Sequence, residues 1–405
     1  MMYQFYQAQD DLLAPVRLFA NTALTALEGS WVSKSGLPFV RNLTAAYEMV
    51  GRARLTHARP PYGIDTVQSG NHESVVTEEV VFSTPFGSLL RFRKDQDVEQ
   101  PKVLVVAPLS GHFATLLRST VRTLLADHDV YITDWHNARD VPLSAGAFGM
   151  DGYIRHLISF LEHLGPGAHV VAVCQPCVQS LAATAIMAED DNPATPASLT
   201  LMAGPIDCRV NPTKVNELAT TRPIDWFEKN LLATVPSRFA GAGRRVYPGF
   251  VQLTAFMSMN MDRHVKAHTE LYDHLVKGEL EKAEQTKSFY DEYFAVLDLP
   301  AEFYIETVKL VFQDYALARG ELMFEGRRID PSAIRKTSLL TVEGERDDIC
   351  SVGQTLAAHD LTPKLRAYRK RHHLQPGVGH YGVFSGRKWE GQIYPILRNM
   401  IQTSR

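Results

Sequence analysis

Val170-Val171-Ala172-Val173-Cys174-Gln175-Pro176-Cys177-Val178-Gln179-Ser180-Leu181-Ala182-Ala183 decides the fold. A short apolar run with the character of a buried strand ends on a cysteine, and a helix is expected to start at once, with Pro176 in its first turn where a missing N–H is tolerated. A side chain at such a junction projects from the strand end toward the positive end of the helix dipole. For a thiol, that placement lowers the pKa and favours the nucleophilic thiolate. Four readings compete for Cys174 and Cys177. They have the spacing of a redox Cys-x-x-Cys, although mid-chain in a long α/β pattern. They could be half of a zinc site, but no second pair completes it and His372-His373 are adjacent and poorly spaced. Both could be inert buried thiols. Or Cys174 is a nucleophile on a strand-to-helix elbow, which demands an acid and then a histidine downstream, each just after a later strand.

Both downstream pieces are present. Leu339-Leu340-Thr341-Val342-Glu343-Gly344-Glu345-Arg346-Asp347-Asp348-Ile349 is an apolar strand running into an acidic turn, and Pro376-Gly377-Val378-Gly379-His380-Tyr381-Gly382 sets a histidine in a glycine-rich loop. In this arrangement Cys174 attacks a carbonyl carbon. His380 takes its proton and later activates water against the acyl-enzyme, and Asp347 holds the imidazole in the productive tautomer. Asp347 is preferred over Asp348 because it falls three residues after Gly344, leaving Asp348 to cap the next helix. The oxyanion requires two N–H donors: the backbone of Gln175, and that of Leu109 or Ser110 in the loop Pro108-Leu109-Ser110-Gly111-His112 after the early strand Val103–Ala107.

Outward from this core, the apolar runs Val103–Val106, Val130–Ile132, Val170–Val173, Leu199–Met202 and Leu339–Val342 alternate with amphipathic stretches, the pattern of a mostly parallel sheet with helices on both faces. The rhythm stops between Met202 and Leu339. That stretch is rich in helix formers, with Asp298 expected as an N-cap ahead of a helix over Phe303–Leu317, and it predicts a helical cap inserted into the sheet. Residues 223–328 hold 16 of the 38 aromatic residues in about a quarter of the chain, so Tyr290, Phe294, Phe303 and Phe312 either pack between helices or supply a pocket or apolar surface. Residues 1 to about 55 have helical spacing, and Val80–Phe82 and Leu89–Phe92 flank the turn Thr84-Pro85-Phe86-Gly87 as a hairpin.

The 42 Lys and Arg against 45 Asp and Glu, a net charge of −3, argue against a broad nucleic-acid surface. Four cysteines in 405 residues do not make a disulfide framework, and Cys177, Cys208 and Cys350 are expected to be structural thiols in a reducing compartment. The stretch Met1–Asp11 has neither a basic nor an apolar region of a signal peptide, and no apolar run approaches the roughly 18 residues that cross a bilayer. A cytoplasmic protein is the expectation.

The sequence resembles the intracellular poly(3-hydroxybutyrate), or polyhydroxyalkanoate, depolymerases. The resemblance rests on Val173-Cys174-Gln175-Pro176, on Val342–Ile349, on Gly377–Gly382 and on Leu299-Pro300-Ala301-Glu302-Phe303-Tyr304. It implies an α/β-hydrolase fold divided into an N-terminal helical extension (1–75), a first core part (76–204), a helical cap (205–332) and a second core part (333–405). It also implies a triad of Cys174, Asp347 and His380, and hydrolysis of an intracellular polyester to 3-hydroxybutyrate oligomers and monomer. No metal or organic cofactor is implied. The implied partner is the granule surface, met by exposed aromatics of the cap, with coenzyme A as a possible alternative acyl acceptor. Ala172 and Pro176 stand where the usual elbow has glycines, and the Gly-x-Cys-x-Gly of the polyester synthases is absent, which favours depolymerase over synthase. The remaining alternatives are CoA-dependent or synthase-like acyl transfer and a non-catalytic granule-binding protein.

Overall fold

The computed structural model describes residues 2–29, 37–96, 99–259 and 261–404. Residues 30–36 of the expected helical N-terminus lie outside them.

Nine strands form the main sheet: β1 (Thr66–Ser69), β2 (His72–Ser83), β3 (Gly87–Lys94), β4 (Lys102–Val106), β5 (Asp129–Trp135), β6 (His169–Val173), β7 (Ser198–Met202), β8 (Ser338–Gly344) and β9 (Lys370–Gln375). Their spatial order is β1-β2-β3-β5-β4-β6-β7-β8-β9. The first three are antiparallel neighbours, β3 runs antiparallel to β5, and every pair from β5 to β9 is parallel. With the helical crossovers and the elbow described below, this is an α/β-hydrolase fold. The sheet begins at Thr66, ten residues before the boundary drawn at 76.

The continuous apolar runs arise because each central strand is covered twice. Leu104 and Val106 of β4, Val170 and Ala172 of β6, and Leu199 and Leu201 of β7 enter one core, beneath α4 (Met150–Leu164) and α5 (Cys177–Glu189). Val103, Val105, Val171, Val173, Leu340 and Val342 enter the other, beneath α3 (Arg118–Leu125) and the C-terminal helix Tyr394–Thr403. Alternation of side chains across each strand thus feeds two cores at once. Each fully buried Val or Leu contributes roughly 1.5–3 kcal/mol.

Between β7 and β8 stand α6 (Lys214–Thr220), α7 (Ile224–Leu231), α8 (Gly249–Met259), α9 (Met261–Lys277), α10 (Leu280–Tyr293) and α11 (Ala301–Glu306), which widens into a π-helical turn over Thr307–Gln313. Asp298 does not cap this last helix, whose N-cap is Pro300. Its buried carboxylate instead accepts from Tyr3 Oη at 2.7 Å and Gly249 N at 2.9 Å, joining the N-terminal helix α1 (Met2–Glu28) to the cap. Burial pushes its pKa up to about 6.

The cap aromatics mostly pack on one another. Tyr247 stacks on Tyr304 at 3.8 Å, Phe303 stacks on Tyr153 of α4 at 5.2 Å, and Tyr290, Tyr293 and Phe294 form a ring cluster. The conspicuous exposed apolar row lies on α1, where Phe5, Leu12, Val16 and Phe19 are 74, 75, 52 and 64% exposed and share one helical face. Tyr3, Tyr6 and Arg17 take the docked side, with hydrogen bonds to Asp298, His57 and Asp10.

Candidate active site

Cys174, Asp347 and His380 follow β6, β8 and β9, so parallel pairing brings all three to the same edge of the sheet. Cys174 is the sharp point of the elbow. Its φ is +66°, a left-handed conformation costing an L-residue roughly 1–2 kcal/mol, and its N–H donates to Met202 O at 2.7 Å while its carbonyl accepts from Cys177 N. Pro176 is the N-cap of α5, one residue ahead of the helix proper. The room that glycines usually supply at an elbow comes here from the next loop. A Cβ on Gly204 would lie 2.2 Å from Cys177 Cβ and 3.1 Å from the Cys174 carbonyl oxygen. A glycine just past a buried strand was the available signal for it in the sequence.

Cys177 turns away from the cleft, with its thiol 3.4 Å from Ala172 O, and all four cysteines are free. Burial raises the thiols of Cys177, Cys208 and Cys350. Among the described residues no cluster of three His, Cys, Asp or Glu side chains is disposed to hold a metal ion.

His380 donates from Nδ1 to Asp347 Oδ2 at 2.8 Å, and Asp347 Oδ1 accepts the backbone N–H groups of Ile349 and Cys350 at 2.9 and 2.8 Å. The turn after β8 is therefore capped by Asp347 itself. The neighbouring Asp348 is exposed and caps no helix or turn among the described residues. Burial alone would depress the His380 pKa. The charges of the Cys174 sulfur and the Asp347 carboxylate, together with the Asp347 hydrogen bond, outweigh it and raise it well above its usual value.

A second buried carboxylate supports this turn. Glu343, at the end of β8, accepts backbone N–H groups of Gly353, Thr355 and Leu356 at 2.8–2.9 Å and has no exposed side-chain surface. Nothing in the local sequence distinguishes it from a carboxylate at an open strand end. Glu343→Gln sets an amide N–H₂ against backbone N–H donors and is expected to destabilise the fold by about 1–3 kcal/mol, read as a lower urea midpoint at unchanged slope. A midpoint equal to the parent's would mean that the loop does not depend on this carboxylate.

Leu109 N and Gln175 N lie at the same sheet edge. Leu109 N–H is engaged by Gln175 Oε1 at 3.3 Å, and Gln175 Nε2 is buried without a partner among the described residues. Ser110, the alternative donor, makes no hydrogen bond among the described residues. The loop is fixed to the cap: Leu297 N donates to Gly111 O at 3.0 Å, and His112, pushed down to about 4 by burial, sits 3.2 Å from Tyr293 O and stacks on Phe256.

A cleft of about 290 Å³ opens on His380, lined by Phe256, Arg263, Tyr293, Asp348, Ile349 and Tyr381. Larger cavities of about 440 and 720 Å³ touch none of Cys174, Asp347 or His380.

No curated protein matches the chain. Similar solved structures include the α/β hydrolase GrgF from Penicillium sp. sh18 (12% identity, 81% of this chain and 98% of that one, TM-score 0.46). A second is 2-hydroxy-6-oxo-6-phenylhexa-2,4-dienoate hydrolase from Rhodococcus sp. strain RHA1 (13%, 82% and 100%, 0.43). A third is a thermophilic esterase from Thermogutta terrifontis (12%, 83% and 98%, 0.41). The family model for the C-terminus of PHB (poly(3-hydroxybutyrate)) depolymerases matches residues 203–405. That half of the chain contains the cap, Asp347 and His380; Cys174 lies before it. By that match the chain belongs to the PHB depolymerase family, and it is a carboxylic ester hydrolase of the α/β-hydrolase fold.

Proposed function

We propose that the protein hydrolyses the ester bonds of intracellular poly(3-hydroxybutyrate) through a Cys174-His380-Asp347 triad and a thioester acyl-enzyme. The observation that carries this reading is the left-handed Cys174 on its elbow beside an imidazole hydrogen-bonded to a buried carboxylate. Cys174 Sγ attacks the ester carbonyl as its proton passes to His380, and the oxyanion forms against Leu109 N and Gln175 N. The Gln175 side-chain carbonyl, which holds Leu109 N–H in the unliganded enzyme, gives way to it. His380 then protonates the leaving alkoxide and takes a proton from the water that resolves the thioester, releasing the carboxylate. Asp347 keeps Nδ1 protonated throughout.

The granule is the second half of the reading. Among the described residues no helix is long and apolar enough to cross a membrane, whereas α1 offers an uncharged apolar row suited to the surface of an uncharged polyester. On this reading the N-terminal helix, in place of the cap aromatics, meets the polymer.

The test is release of 3-hydroxybutyrate from amorphous granules, with and without added CoA. Hydrolysis independent of CoA is expected; release only as 3-hydroxyacyl-CoA would replace water by the thiol as acceptor. In the same assay Leu12→Glu/Phe19→Glu should reduce granule-bound protein at least tenfold, since burying a Leu or Phe on an apolar surface is worth about 1.5–3 kcal/mol. Soluble oligomers should still be cleaved. Unaltered co-sedimentation of the double variant would eliminate α1 as the contact.

A further inference from the structure

The cleft beside His380 carries one cation in an otherwise largely aromatic wall. Arg263, on α9, lines it together with Phe256, Tyr293 and Tyr381, and its charge is felt by the Tyr290 and Tyr293 phenols. Several cations on the neighbouring cap helices are paired with carboxylates: Lys266 with Glu270, Lys282 with Glu279 and Lys287 with Glu48. Arg263 has no such carboxylate among the described residues. The one acidic group sharing its cleft is the exposed Asp348, which is not within ion-pair distance of it.

The reaction gives this cation a meaning. In a 3-hydroxyacid polyester the interior is uncharged, and each chain ends in one free carboxylate. The group expelled from the acyl carbon is the alcohol of the next unit toward that carboxylate end. His380 must hand its proton to this alcohol, so the leaving unit lies on the His380 side, where the cleft opens. For the last ester bond of a chain, the leaving unit is itself a hydroxy acid bearing the terminal carboxylate.

We propose that this cleft is a binding subsite for the carboxylate-terminal hydroxyacid unit of a soluble oligomer, with Arg263 as its charge partner. The enzyme then prefers to release monomer from the carboxylate end of short products, with Asp348 moderating that preference by repulsion. The inference rests on the ester-hydrolase reading above.

The experiment compares the 3-hydroxybutyrate trimer as free acid with its methyl ester, which differs by loss of the charge. Wild type should show a KM for the acid about three- to tenfold below that for the ester, the range of a partly screened arginine–carboxylate contact. Arg263→Gln should bring the ratio of the two KM values to about one, Arg263→Lys should restore part of it, and Asp348→Asn should widen it. Circular dichroism controls for folding. A ratio identical in wild type and Arg263→Gln, or no preference in wild type, overturns the subsite. Failure of wild type to cleave either trimer overturns the proposed function itself, and the subsite with it.

Discussion

Replacing Cys174 by alanine is expected to reduce ester hydrolysis by about four orders of magnitude or more, the usual consequence of deleting a covalent nucleophile from a triad. The fold should survive. The residue sits half-buried at φ +66°, where alanine and cysteine carry the same steric burden, so the stability difference should stay within about 1 kcal/mol. Cys174→Ser separates nucleophilicity from shape, because it retains an attacking atom but loses the easily ionised one. It should remain well below the parental rate, because a serine hydroxyl is far less ionised and less nucleophilic than a thiol at neutral pH. Cys177→Ala is the discriminating control. Its thiol is fully buried against Ala172 O and Gly204, and its loss opens a small void worth about 1 kcal/mol while leaving catalysis near wild type. A redox Cys-x-x-Cys would instead make the two variants equally inactive. Alkylation by iodoacetamide, mapped by mass spectrometry, should mark Cys174 first. A Cys174→Ala protein retaining a tenth of the parental rate would remove the nucleophile from the proposal.

The strands and the elbow were readable because their causes are local. A strand buried on both faces has to be apolar at successive positions, and β4, β6, β7 and β8 each contain such a run. Likewise the order cysteine, acid, histidine requires only three strand ends in sequence. What escaped the sequence depends on partners far along the chain. Asp298 has the look of a helix cap because it precedes Pro300, yet Tyr3, nearly three hundred residues away, decides its role. The apolar spacing of α1 announced a helix but not that its apolar face would be left outside while tyrosines and a buried arginine docked. Glu343 and Gly204 acquire their importance only when separate loops fold against each other. The sequence has Ala172 and Pro176 where an elbow usually has glycines, and the structure finds the same space at Gly204 on a neighbouring strand end.

Asp347 and Asp348 offer the sharpest comparison between adjacent residues. Asp347→Asn should lower kcat by about 10³–10⁴, in the range for a triad acid replaced by its amide, whereas Asp348→Asn should change kcat by no more than a few fold. The difference follows from what each carboxylate holds. Both Asp347 oxygens are committed, Oδ2 to His380 Nδ1 and Oδ1 to the N–H groups of Ile349 and Cys350. An asparagine there has to turn its N–H₂ either toward His380, forcing the wrong tautomer, or toward two backbone donors. The second arrangement preserves the imidazole and shifts the damage to stability, about 1–3 kcal/mol for donors left unpaired. The loss of the charge can be read from pH whichever way the amide turns. Asp347 is one of the groups that raise the His380 pKa, so removing its charge weakens the imidazolium, and the limb of the kcat/KM profile that reports His380 should move to lower pH. Asp348 faces solvent at the mouth of the cleft, so its neutralisation should leave that limb in place. Equal losses in the two variants, or a His380 limb that moves with Asp348 and not with Asp347, would transfer the acid's role to the neighbour despite the 2.8 Å hydrogen bond.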